Sequence, residues 1–217
     1  MLRALGDKDV RVLVIDDNSP DGTGELADRL AEELEYVGVL NRPAKEGLGP
    51  AYLAGFKRAL AEGAELVLEM DCDFSHNPSD VPRLIAAAAD ADVVIGSRYV
   101  EGGGVRNWGL VRRVISAGGS WYARVLLGAP VHDLTGGFKC YRRAVLESID
   151  LDAIRSKGYA FQIETTYRAL RAGFRVVEIP ITFVDREAGG SKMSKSIVVE
   201  AIWKVPLLRL AALAGRL

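Results

Sequence analysis

The 217-residue chain carries 28 basic and 29 acidic side chains, for a net charge of −1 at neutral pH, and 49% of its residues are hydrophobic. This length suits one domain with a proper core, and the near-balance of charge argues against a nucleic-acid partner. Cys72 and Cys140, the two cysteines, stand in no zinc or redox spacing, so a reducing, cytoplasmic setting is expected. The first residues, MLRALGDKDV, lack the apolar core of a signal peptide. No run reaches the ~18 uninterrupted apolar residues of a membrane-spanning helix.

VRVLVIDD, from Val10 to Asp17, is a β-branched run bounded by turn residues and reads as a strand buried on both faces. NSPDGT makes the turn, and Leu26, Leu30 and Leu34 then follow at helical spacing. VGVL (37 to 40) predicts a second strand, GPAYLAGFKRALAEG a helix ending at Gly63, and ELVLEMD a third strand. NPSDVPRLIAAAA opens a helix that Ser79 or Asp80 is placed to cap, and ADVVIGSR is a further strand. Strands alternating with helices of this length predict an α/β fold with an open, mostly parallel sheet, whose ligands bind beyond the carboxyl ends of the strands. Asp16-Asp17, Asp71-Asp73 and Ser97-Arg98 all fall at such ends.

The second half is less regular. GLVRRVISAGGSWYARVLLG is helical, DLTGGFKCYRRAVLESI a turn leading into a strand and a helix, and AFQIETTYRALRAGF a helix up to Gly173. RVVEIPITFVDRE is a strand pair or one bent strand, with Pro180 at an edge or bulge. AGGSKMS is a glycine-rich loop carrying Lys192, and the tail SKSIVVEAIWKVPLLRLAALAGRL predicts one or two helices broken near Pro206. That tail packs on the domain or lies on a membrane surface, and the two are compatible.

Asp71 and Asp73 frame Cys72 where an apolar run ends. In an extended chain they project to the same side, and two carboxylates there repel unless a cation or strong donors separate them. One reading is a divalent metal whose shell phosphate oxygens complete. The other is two solvated acids in a turn, and the pair alone does not choose.

VIDDNSPDGT, MDCDFSHNP, GSRYVEGGGVRNW, DLTGGFKCYRR and REAGGSKMS occur in that order between about Val10 and Ser196. With them the chain resembles the polyprenol-phosphate mannosyltransferases, the dolichol-phosphate-mannose synthase group of inverting glycosyltransferase family 2. The resemblance implies the nucleotide-diphospho-sugar transferase (GT-A) form of the α/β fold. It also implies transfer of mannose from GDP-mannose to a polyprenyl phosphate, with Mg2+ or Mn2+ as cofactor. Position by position, it puts Asp16, Asp17, Lys45 and Cys72 against the donor, Asp71 and Asp73 on the metal, and Ser75 where some relatives have a third ligand. It puts Arg98, Arg112 and Ser116 on the acceptor phosphate, and Arg186 and Lys192 in a loop that clamps the donor phosphates. Asp73, Arg98 and Arg186 are the residues expected to carry catalysis.

A phosphate nucleophile is mostly dianionic near neutral pH, so this chemistry needs no general base. That suits a chain whose His76 and His132 form no evident dyad, and His76 reads as structural. Glu164 faces the donor sugar or sits in an ion pair. The resemblance further implies peripheral contact with the cytoplasmic face of a membrane, with a separate membrane protein as a possible anchor.

Residues 1–196 are assigned to the catalytic domain and 197–217 to a helical tail. Family members begin with a strand ending in a Pro-Thr-Tyr-Asn-Glu type segment, whereas only MLRALGDKD precedes Val10 here. That strand would lie centrally, between residues 10–15 and 66–70, so the expectation is a fragment of a longer chain that folds poorly alone. Three alternatives stay open: a polyprenyl-phosphate glucosyltransferase or other family 2 enzyme, a phosphatase of the D-x-D-x-T type, and a degenerate nucleotide-sugar-binding domain.

Overall fold

The computed structural model describes residues 4–5, 10–156, 158–185 and 195–217. The chain divides into two compact units, Met1–Ala64 and Glu65–Leu217.

In the first unit β1 (Val12–Asp16), α1 (Thr23–Glu33), β2 (Val37–Asn41) and α2 (Leu48–Ala61) follow in order. β1 and β2 pair in parallel, Val12 opposite Val37 and Asp16 opposite Asn41, as a helical crossover requires. Asp21 accepts from the Thr23 backbone N (3.1 Å) and Oγ1 (2.6 Å) where α1 begins. α2 lies so near β1 that a Cβ on Gly55 would sit 2.5 Å from Ile15 Cδ1. A larger residue at that crossing would have to displace the end of the Ile15 side chain.

The second unit contains β3 (Leu66–Glu69), α3 (Val81–Ala87), β4 (Val93–Ser97), β5 (Gly104–Arg106), α4 (Leu110–Leu127) and β6 (Lys139–Arg142). Then come α5 (Arg143–Ser148), α6 (Gly158–Arg171), β7 (Val176–Pro180), β8 (Thr182–Val184) and α7 (Lys195–Leu213). One sheet has the order β3-β6-β4-β7, and β5 with β8 forms a two-stranded parallel ribbon. β4 and β7 are parallel, while β6 runs antiparallel to both of its neighbours. Every residue of β4 is buried, which is why it reads as an unbroken apolar run. The core beside it is built from Phe138, Tyr141, Phe161 and Leu134, all 0% exposed. Arg142, at the end of β6, donates to the carbonyls of Ala88, Ala89 and Ala91, satisfying groups left open where α3 ends.

Four local expectations change. β5 is a strand that the glycine-rich EGGGVRN stretch hides, because its pairing with β8 is long-range. The turn into α3 is capped by Asn77, whose Oδ1 accepts from the Ser79 backbone N (3.0 Å), rather than by Ser79 or Asp80. The Asp71-Asp73 pair does not continue a strand: β3 stops at Glu69 and the chain bends from Cys72 to His76, with Phe74 at a φ of 63°.

The tail, finally, is a single helix. Pro206 lies inside α7, where it has no N–H to offer the carbonyl four residues back. That carbonyl belongs to Ile202 and accepts instead from the Tyr122 hydroxyl of α4, at 3.0 Å. The proline thus costs no unsatisfied acceptor, and the helix passes through it. α7 packs against α4 and α6, burying Val205, Leu208 and Ala212. Arg209 reaches the Leu127 carbonyl at 3.2 Å. Among the described residues no helix is long and apolar enough to cross a membrane.

Candidate active site

In the first unit the acidic pair sits where β1 ends. Asp16 is buried and accepts from the Ser19 backbone N at 3.0 Å, closing the turn that follows the strand. Asp17 pairs with Arg42 Nη1 at 2.5 Å, and the same guanidinium also holds Glu46. Lys45 is exposed in the loop after β2.

In the second unit the D-x-D segment lies just beyond β3. Asp71 and Asp73 are partly exposed and Cys72 is exposed. Asp73 Oδ1 accepts from the Ser75 backbone N at 3.1 Å, and the Ser75 carbonyl accepts from Val184 N of β8 at 3.1 Å. Ser75 itself is buried. The two carboxylates are therefore carried on a loop fixed at its far side. Among the described residues no group of three or more His, Cys, Asp or Glu side chains forms a metal cage. Two carboxylates facing solvent fit a Mg2+ or Mn2+ ion that takes its remaining oxygens from water and a diphosphate.

Beneath the D-x-D segment is a buried polar cluster with no role assigned from the sequence. Lys139 Nζ donates to the Gln162 carbonyl (2.9 Å) and Oε1 (2.7 Å), and lies 3.7 Å from Glu69 Oε1. Gln162 Nε2 and the Tyr141 hydroxyl each donate to Glu69 at 3.3 Å. Burial pushes the Glu69 carboxyl up to about 7, although Lys139 opposes it, and pushes the Lys139 ammonium down to about 8.

The basic residues fall around Trp108. Arg98, at the end of β4, grips Asp133 with two guanidinium nitrogens (2.7 and 2.6 Å) and its backbone N (3.0 Å), and donates to Thr135 Oγ1 at 2.9 Å. Burial alone would raise the Asp133 carboxyl. The Arg98 guanidinium reverses that and holds it below the ordinary value, while Arg98 in turn is raised above its own. Glu178 of β7 fixes the Asp133 backbone by accepting from His132 N (2.7 Å) and Asp133 N (2.8 Å). Arg112, on α4, lies 4.3 Å from the Trp108 ring centre and pairs with Asp185 at 2.5 Å. Ser116, one turn further along the same face, accepts from the Tyr99 hydroxyl at 2.7 Å.

The structure thus brings Arg98, Tyr99, Arg112 and Ser116 to one aromatic platform. Arg98 is the most committed of them: it is 8% exposed and its donors are engaged with Asp133 and Thr135. Glu164 resolves into an ion pair, its Oε1 2.9 Å from Arg168. Arg186 and Lys192 lie outside the described residues. Trp108 and Asp133 stand inside the motifs GSRYVEGGGVRNW and DLTGGFKCYRR, but nothing local marks them as partners of two arginines.

An α/β frame with an acidic loop beyond one strand and a cluster of arginines on an aromatic platform has the features of a glycosyltransferase, and the comparisons with known proteins agree. The model of the family Glycosyl transferase family 2 matches residues 1–150. The chain is 55% identical over 198 residues to the polyprenol monophosphomannose synthase of Mycolicibacterium smegmatis, covering 90% of this chain and 75% of that one. It is 53% identical over 201 residues to the undecaprenyl-phosphate mannosyltransferase of Micrococcus luteus, covering 93% and 83%. Among solved structures, glucosyl-3-phosphoglycerate synthase from Mycobacterium tuberculosis with Mn2+, UDP-glucose and phosphoglyceric acid superposes with a TM-score of 0.62 at 17% identity. That match covers 89% of this chain and 68% of the synthase. The chain belongs to glycosyltransferase family 2.

Proposed function

We propose that this enzyme transfers mannose from GDP-mannose to the phosphate of a polyprenol, with inversion at the anomeric carbon. The observation that carries the reading is the identity of 53 to 55% to two mannosyltransferases named for polyprenyl acceptors. The arginines gathered on Trp108 support it, since a phosphate-bearing acceptor needs cations other than those holding the donor diphosphate.

Asp71 and Asp73, with Ser75 beside them, would hold a divalent ion, which neutralises charge developing on the leaving diphosphate. The solved relative that contains Mn2+ and a nucleotide sugar favours such an ion. Asp16, Asp17, Lys45 and Cys72 are assigned to the donor, and Arg186 and Lys192 to its phosphates. On the acceptor side Arg112 and Ser116 hold the lipid phosphate. One of its oxygens attacks the anomeric carbon as the bond to the diphosphate breaks, and the phosphate is already anionic. Arg98, engaged by Asp133, supports the aromatic platform on which Arg112 rests.

The lipid tail requires an apolar approach. Leu110, Val111, Val114, Trp121 and Val125 of α4 are each more than 60% exposed, and so are Trp203, Leu210 and Leu213 of α7. α4 and α7 pack together, and α4 carries Arg112 and Ser116. Apolar side chains of this number in water are unfavourable and suit an interfacial helix pair. We assign this face to peripheral contact with the cytoplasmic surface of a membrane.

The donor is tested with purified enzyme, polyprenyl phosphate and Mn2+, comparing radiolabelled GDP-mannose with UDP-glucose. Label entering the butanol phase from GDP-mannose alone is expected. Equal or greater transfer from UDP-glucose would replace mannose by glucose in this reading.

A further inference from the structure

The described residues contain three buried side-chain polar atoms without a hydrogen-bond partner: both ring nitrogens of His76 and Nε1 of Trp108. They belong to one strip of rings. His76 meets Phe183 edge-on at 5.1 Å, and Phe183 meets Trp108 at 5.3 Å. Phe138 flanks His76 from the other side at 4.9 Å.

An all-aromatic slot is filled at less cost by phenylalanine, because an imidazole brings two polar nitrogens that lose water and gain nothing. An imidazole held there therefore calls for an acceptor within reach. Nε2 of His76 lies 3.8 Å from Oδ2 of Asp71, about 1 Å longer than a normal N–H···O hydrogen bond. The ring cannot drift to close that gap. It is 3% exposed, and its backbone is pinned by the Ser75 carbonyl bonded to Val184 on one side and the Asn77 cap on the other. Asp71, partly exposed just ahead of the bend, is the acceptor next to it, and a change of its side-chain rotamer would close the distance.

We infer that His76 is a positioning residue for the metal site: its Nε2 donates to Asp71 Oδ2 and holds that carboxylate in place for the cation. Outer hydrogen bonds of this kind orient ligands and tighten when the ligand is engaged. Phe138 and Phe183 hold the imidazole. The inference rests on the reading that Asp71 is a metal ligand.

The test is Mn2+ binding, followed by electron paramagnetic resonance with and without GDP, for the parent, His76→Phe, His76→Gln and Asp71→Asn. Phenylalanine keeps the packing and removes the donor, whereas glutamine carries an N–H near the position of Nε2. His76→Phe is expected to weaken Mn2+ binding about 10- to 100-fold and His76→Gln by about threefold or less. Binding by His76→Phe within about twofold of a metal-binding parent overturns the inference and leaves the metal role of Asp71 intact. A parent that binds no Mn2+, or Asp71→Asn that binds as the parent does, removes the underlying reading and the inference with it. The parent alone provides a second test free of folding effects. In imidazole 15N spectra, adding Mg2+ and GDP is expected to move the His76 Nε2 signal, with His132 unchanged, and a stationary signal contradicts the proposal.

Discussion

Arg98 and Asp133 form a bidentate ion pair in the interior, Nε to Oδ2 at 2.7 Å and Nη2 to Oδ1 at 2.6 Å, with Asp133 wholly buried. Removing one partner of such a pair strands a buried charge, so Asp133→Asn is expected to cost about 3–5 kcal/mol at pH 7. Urea unfolding measures this, and a loss under about 1 kcal/mol would mean that the pair is not closed in solution.

The same pair sets an acid limit. The folded-state carboxyl of Asp133 is depressed relative to its ordinary value. Its contribution is therefore fully present above the unfolded value of about 4 and is lost as pH falls through the lower, folded one. Parent stability should decline across that acid range more steeply than that of Asp133→Asn. Parallel pH profiles would show that the carboxyl is not depressed.

Arg112 rests on Trp108 and pairs with Asp185, which aims a cation without burying it completely. Arg112→Ala should raise the KM for polyprenyl phosphate about tenfold or more, from a charge-assisted contact of about 1.5–3 kcal/mol. GDP affinity should hold nearly constant. Loss of GDP binding with an unchanged lipid KM would place Arg112 on the donor side.

Exposed Trp121 and Trp203 test the membrane face. Replacing both with serine should weaken binding to anionic vesicles by at least about tenfold, since each indole contributes about 1.5–3 kcal/mol on burial. Transfer to a short, water-soluble polyprenyl phosphate should persist. Unchanged vesicle binding would move the contact elsewhere.

Much of this was legible in the chain. β1, β3 and β4 announce themselves as apolar runs, and the acidic and basic residues stand at or beyond their ends. What escaped depends on distant partners. β5 exists only because β8 lies beside it, and Gly103 is required because a Cβ there would meet the Ser97 carbonyl at 2.6 Å. Arg98 reads as a free cation until the fold delivers Asp133, 35 residues on, to its guanidinium. Pro206 signals a helix break, and only Tyr122 donating to the Ile202 carbonyl shows why the helix continues.

Asp73→Asn preserves the Oδ1 acceptor that Ser75 N uses and removes the charge. The loop should stand and the fold remain, while transfer falls about a thousandfold if a charged ligand to a phosphate-bridging metal is lost. Parent-like rates within about threefold would remove Asp73 from the metal site.

The most direct measurement is radiolabelled mannose passing from GDP-mannose into butanol-extractable lipid, run with polyprenyl phosphate, with EDTA, and with Mn2+ restored after EDTA. The account predicts a labelled lipid formed by the parent enzyme, abolished by EDTA and recovered with Mn2+. Labelled lipid undiminished by EDTA would contradict the metal-assisted mechanism, and GDP binding with no labelled lipid under any condition would contradict the transfer itself.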